Sequence, residues 1–344
     1  MVDVSEDWPF YEYSLYGMDI RTNRPVPGLV RLLQPGRADV NVTFIQAEQV
    51  CFQPETAHQV YASPGELENG APHLKVWVDP LCEPTYLGIQ YSDGQGFASF
   101  LVNREGSQVQ VLMTETIPFG DVLTYFLGPV IGCVLRVRGI ICLHAGVFAV
   151  GGKALAIIGP KGMGKSTMVA AMAYQGLPVL SDDIAALKEV DRQVIVSLGY
   201  PRLRLWPKTI EVLPGISAEE LPKILSFAEK RFVSLDTDCD GAGRWKFQCC
   251  PLPLAAIYVL AGRGPEDRLA IRPFSKSSGL LQLMRNTYPE YPLHPSDHGR
   301  NFNALQNLMK KVVLREVIVP DGLDNLPQTR DAILDDFREQ CGLL

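Results

Sequence analysis

The first third of the chain alternates hydrophobic and polar residues over short runs, and turn residues separate these runs. Examples are "YGMDIRT", "RADVNVTFIQ", "LKVWVDP", "YLGIQYS" and "QVQVLMT". A period of two over strand-length segments is typical of β-strands with one buried face. The pattern predicts a mostly antiparallel β domain over residues 1–115, which either has a structural role or presents a substrate.

The spacing of apolar residues changes in "TIPFGDVLTYFLGPVIGCVLRVRG". Helical spacing here predicts a buried helix that ends near Gly139. We place the start of a second domain, residues 116–344, at this change. We expect no apolar run of the roughly 18 residues that a membrane-spanning helix needs.

Strands and helices alternate in the second domain. The runs "IICLHAGVFAV" and "KALAIIG" are joined by Gly151-Gly152, which predicts a hairpin because glycine tolerates the positive φ of tight turns. "KSTMVAAMAYQ" predicts a helix that stops at Gly176, and "LPVLSDD" predicts a buried strand that ends in two acids. We therefore predict an α/β class with a mixed sheet, in which the strand before the glycine loop has an antiparallel neighbour.

The glycine loop has the spacing of a phosphate-binding loop, Gly159-x-x-x-x-Gly164-Lys165-Ser166, between a strand and a helix. Its backbone N–H groups can surround phosphate oxygens, and the positive end of the following helix favours negative charge. Lys165 would contact the β- and γ-phosphates, and the Ser166 hydroxyl would bind Mg²⁺. The residues predicted to bind ATP are Gly159, Gly162, Met163, Gly164, Lys165, Ser166 and Thr167. The alternative is a strand–turn–helix junction without a ligand.

Asp182 and Asp183 end the next apolar strand, at the sheet edge where α/β proteins bind ligands. Adjacent strand residues point to opposite faces, so we expect different tasks for the two acids. One would hold the metal, and the other would accept the proton of an attacking hydroxyl. The alternative is that both acids cap a turn.

His144 interrupts the apolar run "IICLHAGVF" beside the strand of the glycine loop. It would orient a carboxylate or stabilise charge near the transferred group, unless it is a buried histidine of the core. A γ-phosphoryl group in transfer also needs cations. The candidates, each of which can instead be a surface residue, are Arg202, Arg204, Lys230, Arg231 and Arg285. In "RLRLW" the alternation places Arg202 and Arg204 on one face.

The stretch "LHAGVFAVGGKALAIIGPKGMGKSTMVAAMAYQGLPVLSDDIAAL", which covers about residues 140–190, resembles the catalytic domain of HPr kinase/phosphorylase. The resemblance implies the fold of that family, which is related to PEP carboxykinase. It also places His144, Lys165, Ser166, Asp182 and Asp183 in an active site, with Asp183 as the base and Asp182 nearer the metal. It suggests oligomers as well.

Two departures from the family bear on the substrate. Thr167 stands where the family has Glu, and "GYPRLRLWP" stands where the family has an acidic "LEIRG"-type segment. These departures disfavour dephosphorylation and HPr as substrate. The segments "GYPRLRLWP", "LPLAAIYVL" and "LMRNTY" look more like the HPr-kinase-like proteins of ribosomal-peptide gene clusters, among which are lasso-peptide tailoring kinases that phosphorylate a serine of a precursor peptide.

Charge and cysteine content disfavour nucleic-acid-binding, membrane-surface and zinc-binding proteins. The net charge of −6 over 344 residues disfavours a general nucleic-acid or anionic-membrane surface. "MVDVSEDWPFYEYS" does not have the pattern of a secretory signal. The eight cysteines form no C-x-x-C pair, so we expect free thiols in a reducing cytoplasm and no zinc site.

The sequence thus predicts an ATP- and Mg²⁺-dependent kinase that phosphorylates a hydroxyl, and most specifically a serine of a peptide or protein. Two alternatives stay open. One is a kinase for a small alcohol, and the other is a nucleotide-binding sensor or switch without efficient transfer.

Overall fold

The structure is a computed structural model, and it describes residues 9–34, 36–49, 56–64, 67, 70–81, 85–238, 243–263, 268–291, 297–320 and 322–343. The chain divides into two compact units. The first comprises Met1–Ile140, Leu225–Phe227 and Tyr291–Asp297, and the second comprises Ile141–Ile224, Ala228–Glu290 and His298–Leu344. This division lies after the apolar helical stretch, whereas the sequence prediction put the boundary before it, at 115/116.

The described part of the first unit forms one mixed sheet of nine strands. They are β1 (Tyr11–Leu15), β2 (Met18–Thr22), β3 (Val30–Arg31), β4 (Val40–Gln46), β5 (His58–Ala62), β6 (Leu74–Val78), β7 (Thr85–Ser92), β8 (Phe97–Asn103) and β9 (Gln108–Met113). The order is β3-β1-β2-β4-β9-β8-β7-β6-β5. Pairing is mostly antiparallel, as predicted, but β4 runs parallel to both β2 and β9.

One helical stretch packs on this sheet. It consists of α1 (Phe119–Tyr125), a π-helical turn (Phe126–Val130) that contains Pro129, and α2 (Ile131–Val137). The ring of Phe44 on β4 contacts Phe119 and Phe126 edge to face, at 5.2 and 5.9 Å. Alternate residues of β4 are buried, so the period of two in the sequence marks the face that the helix covers.

The prediction that no run is long enough to cross a bilayer is wrong for this stretch. Phe119–Val137 has 19 residues with a mean hydropathy of 1.4, which suffices by length and composition. However, 78% of its most apolar window is buried inside the protein. Such burial is typical of the core helix of a globular domain, which passes the same test of length and hydropathy.

The second unit contains the remaining strands and helices. They are β10 (Ile141–Leu143), β11 (Gly146–Val150), β12 (Lys153–Ile158), α3 (Lys165–Tyr174), β13 (Val179–Ser181), β14 (Ala185–Val190), β15 (Gln193–Val196), β16 (Arg202–Leu205), α4 (Pro207–Glu211), β17 (Arg231–Ser234), β18 (Leu252–Arg263), β19 (Ala270–Pro273), α5 (Lys276–Arg285), α6 (Asp297–Met309), β20 (Val313–Val319) and α7 (Leu326–Cys341). Short 3₁₀ turns lie at Ala218–Glu220 and Leu323–Asn325.

The main sheet of this unit is mixed, as predicted, and helices cover both of its faces. The order is β10-β14-β15-β18-β12-β11-β13, with β20 beside β18 and β19 beside β20. β12 pairs antiparallel with β11 and parallel with β18, which confirms the predicted hairpin and the antiparallel neighbour. Alternate residues of β12 enter two cores, one with α3 and α7 and the other with α5 and α6.

Short connections require this sheet to curl. β13 lies five strands from β14 in the pairing order, which would be roughly 24 Å in a flat sheet. Only residues 182–184 join the two strands, and they can span at most about 15 Å. The ends of β13 and β14 are therefore close together, and the two acids lie at this closure.

The cysteines differ in part from the predicted free thiols. Cys133 and Cys142 are free and buried, Cys341 is free and half-buried, and Cys250 is free and exposed, but Cys249 is disulfide-bonded. Three more, Cys51, Cys82 and Cys239, lie outside the described residues. Among the residues that are described, no cluster of three or more His, Cys, Asp or Glu side chains could hold a metal ion.

Candidate active site

The glycine loop joins β12 to α3. Gly162 and Gly164 have φ of 89° and 85°, a conformation that residues with a Cβ rarely adopt, and Gly164 is the N-cap of α3. Lys165 is the first residue of the helix. The N–H groups of the first helical turn lack partners within the helix, so the end of α3 at this loop carries partial positive charge.

Gly159 begins this loop at a point of close backbone approach. A Cβ here would lie 2.9 Å from the carbonyl oxygen of Leu260 and 3.1 Å from its Cβ, on the neighbouring strand β18. The Gly159 N–H donates to Oδ1 of Asn286, at 3.1 Å. A residue with a side chain would therefore push the start of the loop away from the sheet.

The two acids form a tight turn between β13 and β14. Ile184 N–H donates to the carbonyl oxygen of Asp182 at 3.0 Å, and Asp183 between them has a φ of 70°. This is a γ-turn of positive φ, the rarer and more strained form. The Ser181 hydroxyl donates to the Ile184 carbonyl oxygen and closes the same turn.

The turn corrects the prediction that the acids point to opposite faces. That rule applies only within a strand, and β13 ends at Ser181. One arginine on another element binds both carboxylates. The Arg204 backbone N–H donates to Oδ2 of Asp182 at 3.0 Å, and its guanidinium donates to Oδ2 of Asp183 at 2.8 Å.

Strand β16 positions Arg204 in contact with the two acids. It pairs with β17 as a separate hairpin, and its buried residues Leu203 and Leu205 alternate with Arg202 and Arg204. The two arginines therefore share a face, as the alternation predicts. The Arg204–Asp183 ion pair is largely shielded, since the side chains are 15% and 21% exposed.

His144 lies where the chain passes from β10 to β11, opposite the turn of the acids. Its Nδ1 is 3.0 Å from the backbone carbonyl oxygen of Asp183. A carbonyl oxygen only accepts hydrogen bonds, so Nδ1 carries the proton. In the neutral ring Nε2 is therefore unprotonated. The histidine thus holds the backbone of Asp183 and not its carboxylate.

The pKa values of Asp182 and Asp183 are shifted in opposite directions. Burial, followed by the charge of Asp183, raises the pKa of Asp182 to about 6. Burial acts in the same direction on Asp183, but the charge of Arg204 outweighs it and lowers the pKa of Asp183. Asp183 is therefore ionised at neutral pH, while Asp182 lies near the range in which it gains a proton.

The pKa values of Lys165 and His144 are both lowered in this site. Burial lowers the pKa of Lys165 to about 8, although the charges of Asp183 and Asp182 oppose this shift. Burial, and then the charge of Lys165, lowers the pKa of His144, with Asp183 acting in the opposite direction. The lysine of the loop, the histidine and both acids thus act on one another electrostatically.

The oxygen donors of this site fit Mg²⁺. The elevated pKa of Asp182 reflects its burial and, second, the nearby charge of Asp183, and a divalent cation would relieve both effects. Mg²⁺ is usually held by one or two carboxylates together with substrate phosphates, so a dedicated cage of protein ligands is not required. Asp182 and the Ser166 hydroxyl are the donors predicted to hold it.

The other predicted residues occupy varied positions. Met163 packs against the core beside α3, and the Thr167 hydroxyl is 3.1 Å from that of Thr209 on α4. The Lys230 ammonium lies over the ring of Trp206 at 5.2 Å. Its charge also contributes to lowering the pKa values of Asp183 and Lys165.

The remaining cations have contacts of other kinds. The guanidinium of Arg202 lies over the rings of Tyr200 and Phe232, at 5.2 and 5.1 Å. Arg231 donates to the carbonyl oxygen of Ala218, and Arg285 is exposed in the last turn of α5. The structure gives no contact of these three with the acids.

Sequence reasoning missed two residues. Asn286 binds the first residue of the glycine loop, and Tyr288 stacks on His144 with ring centroids 6.0 Å apart. In the sequence both residues lie in "LMRNTY", one of the segments that carry the family resemblance, but a polar and an aromatic residue after a helix by themselves indicate only a helix end.

Comparison with known proteins identifies no family for this chain. The sequence matches no protein-family model, and no curated protein matches it. Among solved structures, the chain is similar to the Hpr(Ser) kinase/phosphatase from Coxiella burnetii at 13% identity and a TM-score of 0.33, over 58% of this chain and 92% of that chain. A similarity of this size carries no argument about function, so the chemistry of the site rests on its own residues.

Proposed function

We propose that this chain is an ATP- and Mg²⁺-dependent kinase that transfers a γ-phosphoryl group to a hydroxyl. One observation carries the proposal: adjacent carboxylates with opposite pKa shifts lie within electrostatic reach of the lysine of a glycine-rich loop. Pairs of acids whose environments drive their pKa values apart are typical of sites where they have different catalytic tasks.

The residues divide the reaction between them. The loop and Lys165 would hold the triphosphate, and Asp182 and Ser166 would hold Mg²⁺, which neutralises charge on the phosphates. The acceptor oxygen would form a bond to the γ-phosphorus as the bond from that phosphorus to the β-phosphate oxygen breaks. ADP leaves with the electron pair, and the hydroxyl proton passes to Asp183.

The environment of Asp183 suits this role. Its lowered pKa makes it a weak base, and a weak base suffices because phosphoryl transfer proceeds through a loose transition state. His144 contacts its backbone and Arg204 contacts its carboxylate, and the same guanidinium would stabilise charge that develops on the transferred group. In this proposal Arg204 serves both the acid and the phosphoryl group.

We propose a serine of a peptide or protein as the acceptor. The support is the sequence resemblance of "GYPRLRLWP" and "LMRNTY" to the HPr-kinase-like proteins of ribosomal-peptide gene clusters. In this view the first unit contributes to presenting the peptide, and the protein acts in the cytoplasm.

The test is incubation of the full chain with γ-labelled ATP, Mg²⁺ and serine-containing peptides, including those encoded beside its gene, with mass spectrometry of the peptides. We expect a gain of one phosphate on serine. Asp183→Asn should lower transfer by at least about 100-fold while nucleotide affinity stays within about threefold, because general-base catalysis contributes at least that much.

Asp191→Asn is a matched control, since Asp191 is an exposed acid in the same unit that also has positive φ. It should leave transfer unchanged. Full activity of Asp183→Asn would remove the assignment of the base. Slow ATP hydrolysis with no phosphorylated acceptor would instead indicate a nucleotide-dependent switch, and a phosphorylated small alcohol would replace the peptide acceptor.

A further inference from the structure

Asn286 connects two parts of the candidate site that are far apart in the sequence. It follows α5 directly and is 4% exposed. Its Oδ1 accepts from the N–H of Gly159 at 3.1 Å, and its Nδ2 donates to the carbonyl oxygen of Gln282 at 2.8 Å. Its own carbonyl oxygen accepts from the N–H of His144 at 2.7 Å.

These contacts need an amide. The side chain must accept from the loop and donate to the helix at the same time, in a buried position. Asparagine carries both groups on one short side chain, whereas ionised aspartate only accepts and leucine does neither. Because a buried polar group without a partner is unfavourable, the two contacts also fix which way the amide points.

The residues after Asn286 continue this contact along the segment that contains His144. Thr287 forms an antiparallel bridge with Leu143, and the Tyr288 N–H donates to the carbonyl oxygen of Cys142 at 2.9 Å. The ring of Tyr288 stacks on that of His144, with 25° between the planes. Residues 286–288 thus lie along 142–144 in the manner of an added strand.

We infer that Asn286 is a positioning residue that sets the start of the phosphate loop relative to His144, and through His144 relative to Asp183. The inference rests on the proposed function, because the distance it controls is the one between the bound phosphates and the base. In-line transfer is sensitive to this distance, since a displacement of about 1 Å can slow a reaction roughly 100-fold. Asn286 itself does not touch the reacting atoms.

The first test needs no activity. Hydrogen exchange of the full chain without nucleotide should be faster in Asn286→Ala than in wild type, in both 142–147 and 157–164. Thr329→Val is the control, because it removes a buried hydrogen bond of α7, from the Thr329 hydroxyl to the carbonyl oxygen of Asn325, away from the site. Faster exchange in only one of the two segments, or in neither, overturns the inference even if the chain proves to be no kinase.

The second test measures transfer on well-folded protein, far below the unfolding midpoint of each variant. We expect Asn286→Ala to lower kcat roughly 10- to 100-fold with KM for the peptide unchanged. Thr329→Val should keep the wild-type kcat. If both variants lower kcat to the same extent, or if KM alone changes, Asn286 has only a structural role.

Asn286→Asp supplies a pH signature. Burial raises the pKa of a carboxyl group, and the protonated acid can still donate to Gln282 while it accepts from Gly159. The ionised acid cannot donate and would repel the Gln282 carbonyl. The ratio of its kcat to that of wild type should therefore be near one at low pH and fall as pH rises, whereas the ratio for Asn286→Ala should stay constant. A pH-independent ratio for Asn286→Asp overturns the inference.

Discussion

The two compact units each build a nine-stranded sheet from their described residues, but they bury polar groups differently. In the first unit the described groups with shifted pKa values are Tyr91, Tyr125 and Cys133, and burial raises all three pKa values. All three side chains are neutral at pH 7. One of its buried acids, Asp121, is held by neutral donors, the N–H and hydroxyl of Ser226, at 2.9 and 2.7 Å.

The second unit instead collects ionisable groups where its sheet closes. Lys165, His144 and both acids lie within each other's electrostatic influence. Burying charge is unfavourable, so a fold retains such a cluster mainly where the charges are used. This difference in buried charge supports the proposal that the chemistry takes place in the second unit.

Among the variants considered, Arg204→Met should cause the largest loss of phosphoryl transfer. It removes the ion pair of Asp183 and a cation from the site, so we expect transfer to fall roughly 100- to 1,000-fold. The pKa of Asp183 should rise, because burial then acts without its strongest opponent, and the base should lose its charge at a higher pH. The pH below which the rate falls should therefore be higher in Arg204→Met than in wild type.

Arg202→Met is the matched control for this variant. Arg202 shares the strand and the face, and like Arg204 it lies over the ring of Phe232, but its described contacts do not include Asp183. Initial rates of phosphopeptide formation from pH 5 to 9 compare the two. Equal losses in both variants would mean that general positive charge on the hairpin, and not the contact with Asp183, supports transfer.

Lys165→Met should weaken nucleotide binding by about 10- to 100-fold, because a charged donor to phosphate is lost. Wild-type affinity should be constant below pH 8 and should fall above it, since the pKa of Lys165 is about 8 in the free protein and only the protonated form attracts phosphate. The variant should lack this decline. Calorimetric titration with ATP measures both effects.

The control is Lys75→Met on β6, in the first unit. It should leave nucleotide affinity within about twofold, as single surface charges outside a binding site contribute little. An equal loss in this variant would contradict the assignment of nucleotide binding to the second unit.

A smaller effect is expected from protonation of Asp182. Protons compete with Mg²⁺ for this carboxylate, so Mg²⁺ affinity should be constant above pH 6 and should fall about tenfold per unit below it. Asp182→Asn should bind Mg²⁺ weakly and without this pH dependence. Asp121→Asn changes a buried acid of the first unit and should keep the wild-type profile, and the reverse result would refute the metal assignment.

Several elements of the fold could be predicted because their causes are local. Gly151 and Gly152 both have positive φ, at 54° and 74°, and they form the expected hairpin turn. Gly176 follows the end of α3, and the alternation in "RLRLW" separates buried leucines from arginines. Each of these features depends on residues within a few positions of one another, where propensity and periodicity act.

The predictions that were wrong had local premises as well. The opposite-face rule for Asp182 and Asp183 assumed that the strand continued, but a γ-turn replaces it after Ser181. The prediction of free thiols holds for Cys133, Cys142, Cys250 and Cys341 but is wrong for Cys249, which is disulfide-bonded. Neither outcome has a signal in neighbouring residues.

Spacing and periodicity along the chain suffice to predict the glycine loop, the strand and helix that flank it, and two acids at the end of a following strand. Tertiary packing is needed to bring these acids against Arg204 and His144 against the Asp183 backbone. It also brings Asn286 to Gly159, 127 residues away along the chain. The physical reason is that periodicity and turn preferences act over a few residues, whereas the distances between charged groups depend on how the whole sheet curls.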